Sequence, residues 1–269
     1  VLGEIAGAEF KVVLPEEAGD APRLAVGPDA ATEAGVPPEA LEGLGDEGIL
    51  IQTVGTHLAL TGGKGAPRGT LYAVHTFLED TLDCRWWSSK VSHIPKRTRV
   101  EIDEINETFV PILEYRESFW YDAYDGDWAA RNKSNGNSVR TDEARGGHHT
   151  YKGFVHTFFP LVPPDDHFDD HPEWYSEIDG ERKHDHAQLC LTNEELLAFT
   201  IGKVEEWLRE SPEATIISVS QNDWHGACTC ETCAAVDEEE GGHAGTMLRF
   251  VNAVAEAIED EFPHVAVST

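Results

Sequence analysis

Basic residues are scarce in this chain. Its 269 residues include 8 Lys and 12 Arg against 50 Asp and Glu, which gives a formal charge of -30 at pH 7. A surface this acidic repels the phosphate backbone of nucleic acids at low salt, so we predict that nucleic acid is not a partner. Few lysines beside many acids are also typical of halophilic proteins, because concentrated salt screens charges within about 3 Å at 1 M. An ordinary acidic protein is the alternative.

Long apolar runs are also missing. No stretch reaches the roughly 18 consecutive apolar residues of a membrane-spanning helix, so we predict no membrane span. The compartment stays open, with a secreted or cell-surface location favoured over the cytoplasm, and the oligomeric state is unknown. The hydrophobic content of 40% is nevertheless too high for a disordered acidic tail, which indicates a folded protein.

The first part of the chain has short apolar or alternating runs separated by Pro and Gly. These runs predict strands at 10–14, 24–26, 48–54 and 57–61, and an amphipathic helix at 68–80. We therefore expect a small α+β domain over 1–108.

A different pattern begins near residue 109, where apolar strands are followed by longer helices. The predicted strands are 110–116, 154–159, 188–191 and 215–220, and the predicted helices are 194–210 and 245–261. This α/β alternation indicates a (β/α)8 barrel of the TIM type, or an open doubly wound sheet, over 109–269. Since a complete barrel takes about 250 residues, only about four and a half βα units fit here. We expect a barrel truncated on its C-terminal side, and hence a fragment of a longer protein.

The segment Gln221-Asn222-Asp223-Trp224-His225 follows the fourth predicted strand. In barrels, this edge of the sheet holds the active site. A carboxyl group beside an indole suits a general acid, so Asp223 is the catalytic candidate, and Asn222 could bind a sugar hydroxyl. A turn-capping role for Asp223 is the alternative.

Four cysteines have spacing that suits a metal. Cys228, Cys230 and Cys233 form a Cys-x-Cys-x-x-Cys motif, and Cys190 ends the preceding strand, so all four could converge at one edge. Structural zinc, with no organic cofactor, is the candidate because it binds four soft ligands tetrahedrally. A disulfide and buried free thiols are the alternatives.

Further candidates come from the ends of the other predicted strands. Arg116 and Glu117 close the first strand, with Trp120 just beyond it, and His156 lies within the second. Arg116, His156, Trp120 and Trp224 are candidate substrate-binding residues, because aromatic faces stack on sugar rings. Glu117 is a candidate second catalytic carboxylate. An ion pair of Arg116 with Glu117 or Asp223, and ordinary core packing of the indoles, explain these residues equally well.

Two sets of segments resemble known families. Residues 68–74, 77–80 and 84–87 resemble the small α+β domain that precedes the barrel in family 20 hexosaminidases and α-glucuronidases, which implies that 1–108 is a non-catalytic domain. Several motifs of the second part of the chain resemble the DUF4838 family. They are His171-Pro172-Glu173-Trp174-Tyr175, Gln188-Leu189-Cys190-Leu191-Thr192-Asn193, Ser218-Val219-Ser220-Gln221-Asn222-Asp223, the Cys-x-Cys-x-x-Cys motif and Gly245-Thr246-Met247-Leu248-Arg249-Phe250-Val251-Asn252.

The resemblance implies a glycoside-hydrolase-like barrel, in which Asp223 corresponds to the acid at the fourth strand end. We therefore expect a glycosidase that cleaves O-glycosidic bonds of a carbohydrate substrate. In it, Asp223 protonates the leaving oxygen, and a second carboxylate or the substrate's acetamido group meets the developing positive charge. A non-catalytic carbohydrate-binding protein and a zinc-stabilised structural module on the same scaffold are the alternatives.

Overall fold

The computed structural model of the protein describes residues 1–19 and 21–269. The chain forms two compact units, Val1–His148 and His149–Thr269. The first unit contains strands β1 Leu24–Val26, β2 Ile49–Val54, β3 His57–Gly62, β4 Arg85–Trp86, β5 Ser92–His93 and β6 Asn106–Phe109, and helices α1 Leu2–Ala6, α2 Pro28–Glu33, α3 Pro67–Thr76 and α4 Gly126–Arg131. The second contains β7 Tyr151–Lys152, β8 Glu177–Ile178, β9 Glu181–Arg182, β10 Ile216–Ser218 and β11 Ala266–Ser268, and α5 Phe158–Leu161, α6 Pro164–His167, α7 Glu194–Glu210, α8 Glu231–Glu240 and α9 His243–Ile258.

The first unit is built on a four-stranded sheet with the order β1-β3-β2-β6. β2 and β3 form an antiparallel hairpin, in which Val54 faces His57 across a short turn. Gly55 adopts a φ of 60° in that turn, a conformation that glycine reaches without steric cost. Helix α3 packs on the sheet, where buried Tyr72 joins Ile51 and Leu60 in one apolar cluster. The expected hairpin and helix are therefore present.

Two predicted strands are wrong: one expected in the N-terminal domain and the one expected to open the barrel, both of which fall in the first unit. Residues 10–14 and 110–116 contain no strand. Phe10 and Val12 are exposed, and the edge beside β2 is taken by β6, whose Phe109 pairs with Ile49. An apolar run becomes a strand only where a sheet edge is free to bind it. Residues 109–148 pack in the first unit. A packing unit need not coincide with a family domain, so the domain boundary predicted between residues 108 and 109 stays a prediction.

The second unit has a three-stranded parallel sheet with the order β11-β10-β7. Helix α7 matches its predicted range, because Asn193 caps it by accepting a hydrogen bond from the Leu196 amide, and its apolar stripe is buried. The core of this unit combines residues of α7 and α9 with those of β10, among them Leu196, Val204, Ile217, Phe250 and Val254.

The expected second and third barrel strands differ from what the chain forms. The strand predicted at 154–159 is absent: β7 ends before it at Lys152, His156 adopts a left-handed φ of 56° that interrupts an extended run, and α5 begins at Phe158. Within 188–191, Leu189 makes only an isolated antiparallel bridge with Tyr175. The fold is thus mixed α/β, and the described residues form no closed barrel.

None of the helices in the described ranges combines the length and the apolar character needed to cross a membrane.

Candidate functional site

The second unit gathers four cysteines into one buried cluster, which we call the thiol cluster: Cys190, Cys228, Cys230 and Cys233. Their sulfur atoms all lie within 4.8 Å of one another. The Cys190 Sγ atom is 3.7 Å from that of Cys230 and 3.8 Å from that of Cys233. All five cysteines of the chain are free. The predicted convergence of these residues is present, and the cluster could hold a metal ion.

Local structure explains the convergence. Cys230 is the N-cap residue of α8, so Cys233 lies in the first turn of that helix and Cys228 in the loop before it. Cys190 follows Leu189, whose bridge to Tyr175 fixes the segment from the other side. The β8–β9 hairpin also contacts the cluster, because the amide of Glu177 donates a hydrogen bond to the Cys228 Sγ atom at 3.2 Å.

Hydrogen bonds in and around the cluster favour negative charge on one sulfur, that of Cys190. The Arg182 guanidinium donates to the Cys228 Sγ atom at 3.7 Å, and the Thr192 hydroxyl lies 3.1 Å from the Cys233 Sγ atom. Hydrogen bonds from the Cys228 and Cys233 thiols lower the pKa of Cys190. The same bond to Cys190 raises the pKa of Cys228 to about 11. A thiolate held among thiol donors is the form that binds a metal.

The turn after β10 carries the predicted catalytic residue. The Asp223 side chain is 86% exposed, and its carboxylate lies 4.0 Å from the Nε2 atom of His156. The Nδ1 atom of His156 is 2.9 Å from the Gln221 carbonyl oxygen. Since a carbonyl only accepts hydrogen bonds, Nδ1 carries a proton, and in the neutral ring Nε2 presents its lone pair. At 4.0 Å the two groups lie at the limit of an ion pair and beyond hydrogen-bond distance.

The neighbours of Asp223 differ in exposure. Asn222 is buried: its side-chain Oδ1 atom accepts from the Phe159 amide, and its side-chain NH2 group donates to the Ala187 carbonyl. The structure therefore gives Asn222 a positioning contact, whereas sugar binding by Asn222 stays a prediction. Trp224 is 45% exposed, and its ring meets the edge of His186 at a centroid distance of 5.2 Å. Trp224 can present an apolar face to a ligand.

Arg116, Glu117 and Trp120 belong to the first unit. The Arg116 guanidinium binds Glu47 at 2.7 Å, and Glu47 also contacts Arg68 at 3.0 Å. The carboxylate of Glu117 accepts hydrogen bonds from the Tyr115 hydroxyl and the Ser138 amide. Trp120 is half-exposed. These contacts hold Arg116 and Glu117 within the fold, and the substrate-binding and catalytic roles proposed for the three stay predictions.

A second group of ligand-type side chains lies elsewhere in the second unit. His171, Glu173 and Glu195 each place one ligand atom within 4.8 Å of the others. The His171 ring stacks on Trp174 at a centroid distance of 4.0 Å. The acidic run at 165–170 does not belong to this group. Exposed carboxylates of this kind are common in so acidic a chain, whereas the thiol cluster is buried.

Several residues that shape these sites were not predicted from the sequence. Gln188 binds the backbone of the Asp223 turn, Arg182 and Thr192 approach the thiol cluster, and His186 contacts Trp224. For Gln188 the sequence did contain a signal: it lies in the predicted strand 188–191, two residues before Cys190, and a side-chain amide buried there needs hydrogen-bond partners. Partners of a sulfur atom leave no comparable pattern in the sequence.

Comparison with known proteins gives one family match. A family model described as "Domain of unknown function (DUF4838)" matches residues 86–269, a range that contains the thiol cluster and every other candidate residue predicted from the sequence. No curated protein matches the chain.

Proposed function

The chain belongs to the DUF4838 family, and from that premise we propose that it is a carbohydrate-active protein of the glycoside-hydrolase type, with Asp223 as general acid. One observation carries the proposal. The carboxylate of Asp223 lies 4.0 Å from His156 Nε2, in the turn that leaves the C-terminal end of a parallel strand. In barrel enzymes this end carries the active site. We propose accordingly that the parallel sheet is part of a (β/α)8 barrel.

The exposed turn can supply a protonated acid once a ligand covers it. A sugar ring stacked on Trp224 would remove the neighbouring carboxyl group of Asp223 from water, and loss of water favours the neutral acid. His156 could then exchange a proton with Asp223 once ligand binding brings its Nε2 atom from 4.0 Å to hydrogen-bond distance of the carboxyl group. The acid donates its proton to the leaving oxygen, and a second carboxylate or the substrate's acetamido group stabilises the oxocarbenium-like centre.

We further propose that the thiol cluster holds zinc. Zinc binds thiolate sulfur at about 2.3 Å in a tetrahedron, for which geometry gives sulfur–sulfur edges of about 3.8 Å. The two separations from Cys190, 3.7 Å and 3.8 Å, fit such edges. A disulfide would bring one pair of sulfurs to about 2.05 Å. Four protein ligands leave no open position, so the zinc would be structural and would fix the loops beside the Asp223 turn.

Hydrolysis assays test the catalytic proposal. The protein, in its longest natural form, is assayed on a panel of nitrophenyl glycosides that includes N-acetylhexosaminides and simple hexosides. We expect Asp223→Asn to lower kcat by at least about 100-fold, the usual contribution of a general acid. The control is Asp260→Asn, an exposed aspartate beyond α9. Turnover retained by Asp223→Asn would remove Asp223 from catalysis. Cleavage restricted to N-acetylhexosaminides would favour participation by the acetamido group.

Carbohydrate binding without cleavage is the second candidate. It is favoured by the 45% exposure of Trp224 and by the 86% exposure of the Asp223 side chain, because a flat exposed ring beside a solvated carboxylate suffices for binding. A glycan array separates the two functions. Binding that is lost in Trp224→Ala, with no turnover of any bound glycan, would favour the binding protein.

A further inference from the structure

One buried side chain ties the Asp223 turn to the segment that carries Cys190. The Gln188 Nε2 atom donates hydrogen bonds to the carbonyl oxygens of Asn222 at 2.9 Å and Trp224 at 2.6 Å. Its Oε1 atom accepts from the Asn222 amide at 2.8 Å. The backbone amide of Gln188 also donates a hydrogen bond to the backbone carbonyl of Gly226 at 3.1 Å. Both ends of the turn are therefore bound by a single residue.

Both segments joined by Gln188 reach the thiol cluster within two residues. Gln188 precedes Cys190 by two positions, and Gly226 precedes Cys228 by two. The two segments also approach closely, because a Cβ atom added to Gly226 would lie 2.7 Å from the His186 carbonyl oxygen. Any separation of Cys190 from the Cys228–Cys233 segment would therefore pull directly on the Gln188 hydrogen bonds.

We infer that Gln188 is a positioning residue that couples the metal state of the thiol cluster to the order of the Asp223–Trp224 turn. The inference rests on the proposed zinc centre. A bound ion holds Cys190 against the other three cysteines, which keeps Gln188 in register with residues 222–226 and fixes the backbone that presents Asp223 and Trp224. Without the ion, the two segments lose their shared anchor, and the turn opens by local unfolding.

Hydrogen exchange of the intact chain measures the coupling. The chain is compared with and without one equivalent of Zn2+, under reducing conditions, and the reporters are the amides of 221–227, above all the Asn222 amide that binds Gln188 Oε1. We expect zinc to slow exchange in this turn by about tenfold or more, as the loss of one or two hydrogen bonds implies. In Gln188→Met, zinc should still bind and protect 228–233, while 221–227 exchanges fast.

Two further variants complete the design. Cys233→Ser should exchange in the turn like the zinc-free wild type, whatever zinc is added. Thr200→Val is the matched control, because Thr200 is also buried and binds only a carbonyl within its own helix; it should keep the wild-type response to zinc.

The outcomes separate the hypotheses. Zinc that binds without slowing exchange in the wild-type turn, or that protects the turn equally in Gln188→Met, would overturn the coupling alone. Failure to bind any zinc would overturn the zinc centre and the coupling together. No step uses a sugar, so the glycosidase proposal stands or falls separately.

Discussion

Loss of the metal should destabilise the second unit by a predictable amount. Zinc in the thiol cluster would cross-link Cys190 to Cys228 and so close a loop of about 40 residues. For such a loop, the chain-entropy relation for cross-links gives a stabilisation of about 4 kcal/mol at 25 °C. Ligand linkage gives a similar figure, because zinc at about 1,000 times its dissociation constant stabilises the folded form by about 4 kcal/mol. For a unit of this size, such a change corresponds to about 15 °C in Tm.

Calorimetry under reducing conditions, with either a chelator or one equivalent of zinc, measures the effect. We expect zinc to raise the transition of the second unit by about 15 °C in the wild type and to leave it unchanged in Cys190→Ser. Cys84→Ala is the control, since Cys84 belongs to the first unit and lies outside the thiol cluster. A zinc-dependent shift that survives in Cys190→Ser, or a bound ion that leaves Tm unchanged, would refute the reasoning.

Three further predictions concern charge. Burial lowers the pKa of His75 to about 4. As pH falls below about 6.5, the unfolded chain therefore binds a proton that the folded chain does not. We expect urea titrations to show that the free energy of unfolding falls by about 2 kcal/mol between pH 7 and pH 5, and that this fall is smaller in His75→Phe. Glu47→Leu leaves the guanidinium groups of Arg68 and Arg116 without their shared carboxylate. This should lower the free energy of unfolding of the first unit by about 3–5 kcal/mol, whereas the control Glu42→Leu, at an exposed position, should lower it by about 0.5 kcal/mol. The net charge of -30 predicts a higher thermal midpoint in about 1 M KCl than in dilute buffer, and equal midpoints would contradict halophilic adaptation.

Helix α7 could be predicted from the sequence because its signals are local. The Asn193 cap and the apolar stripe of Leu196, Val204 and Leu208 lie within one segment, and no distant partner decides their conformation. The β2–β3 hairpin is similar, since Gly55 sits between two strands that pair with each other. Strand β6 is different, because its partner β2 is distant in the sequence. The apolar pattern therefore predicted a strand at 110–116 instead of at Asn106–Phe109.

The thiol cluster was predictable for a different reason. Cysteine spacing limits where the sulfur atoms can lie, so Cys228, Cys230 and Cys233 had to stay close whatever the surrounding fold. Only the approach of Cys190 depended on tertiary structure. The donors Arg182 and Thr192 reach the sulfurs from a hairpin and from the loop before α7, and such placement follows from packing rather than from spacing.

The burial pattern of the Asp223 turn could not be predicted from the sequence. Residues on an extended chain alternate between two faces, and burial alternates beyond the end of β10: Ser220 and Asn222 are buried, whereas Gln221 and Asp223 are exposed. The sequence alone indicates the opposite assignment, because the apolar residues Ile217 and Val219 share the parity of Gln221 and Asp223, whereas Asn222 shares that of Ser218 and Ser220. A polar side chain on the interior face needs partners in the protein, and the Phe159 amide and the Ala187 carbonyl supply them for Asn222. The exposed face alone is then open to substrate, which is why the catalytic proposal rests on Asp223 and His156 and assigns Asn222 to the support of the turn.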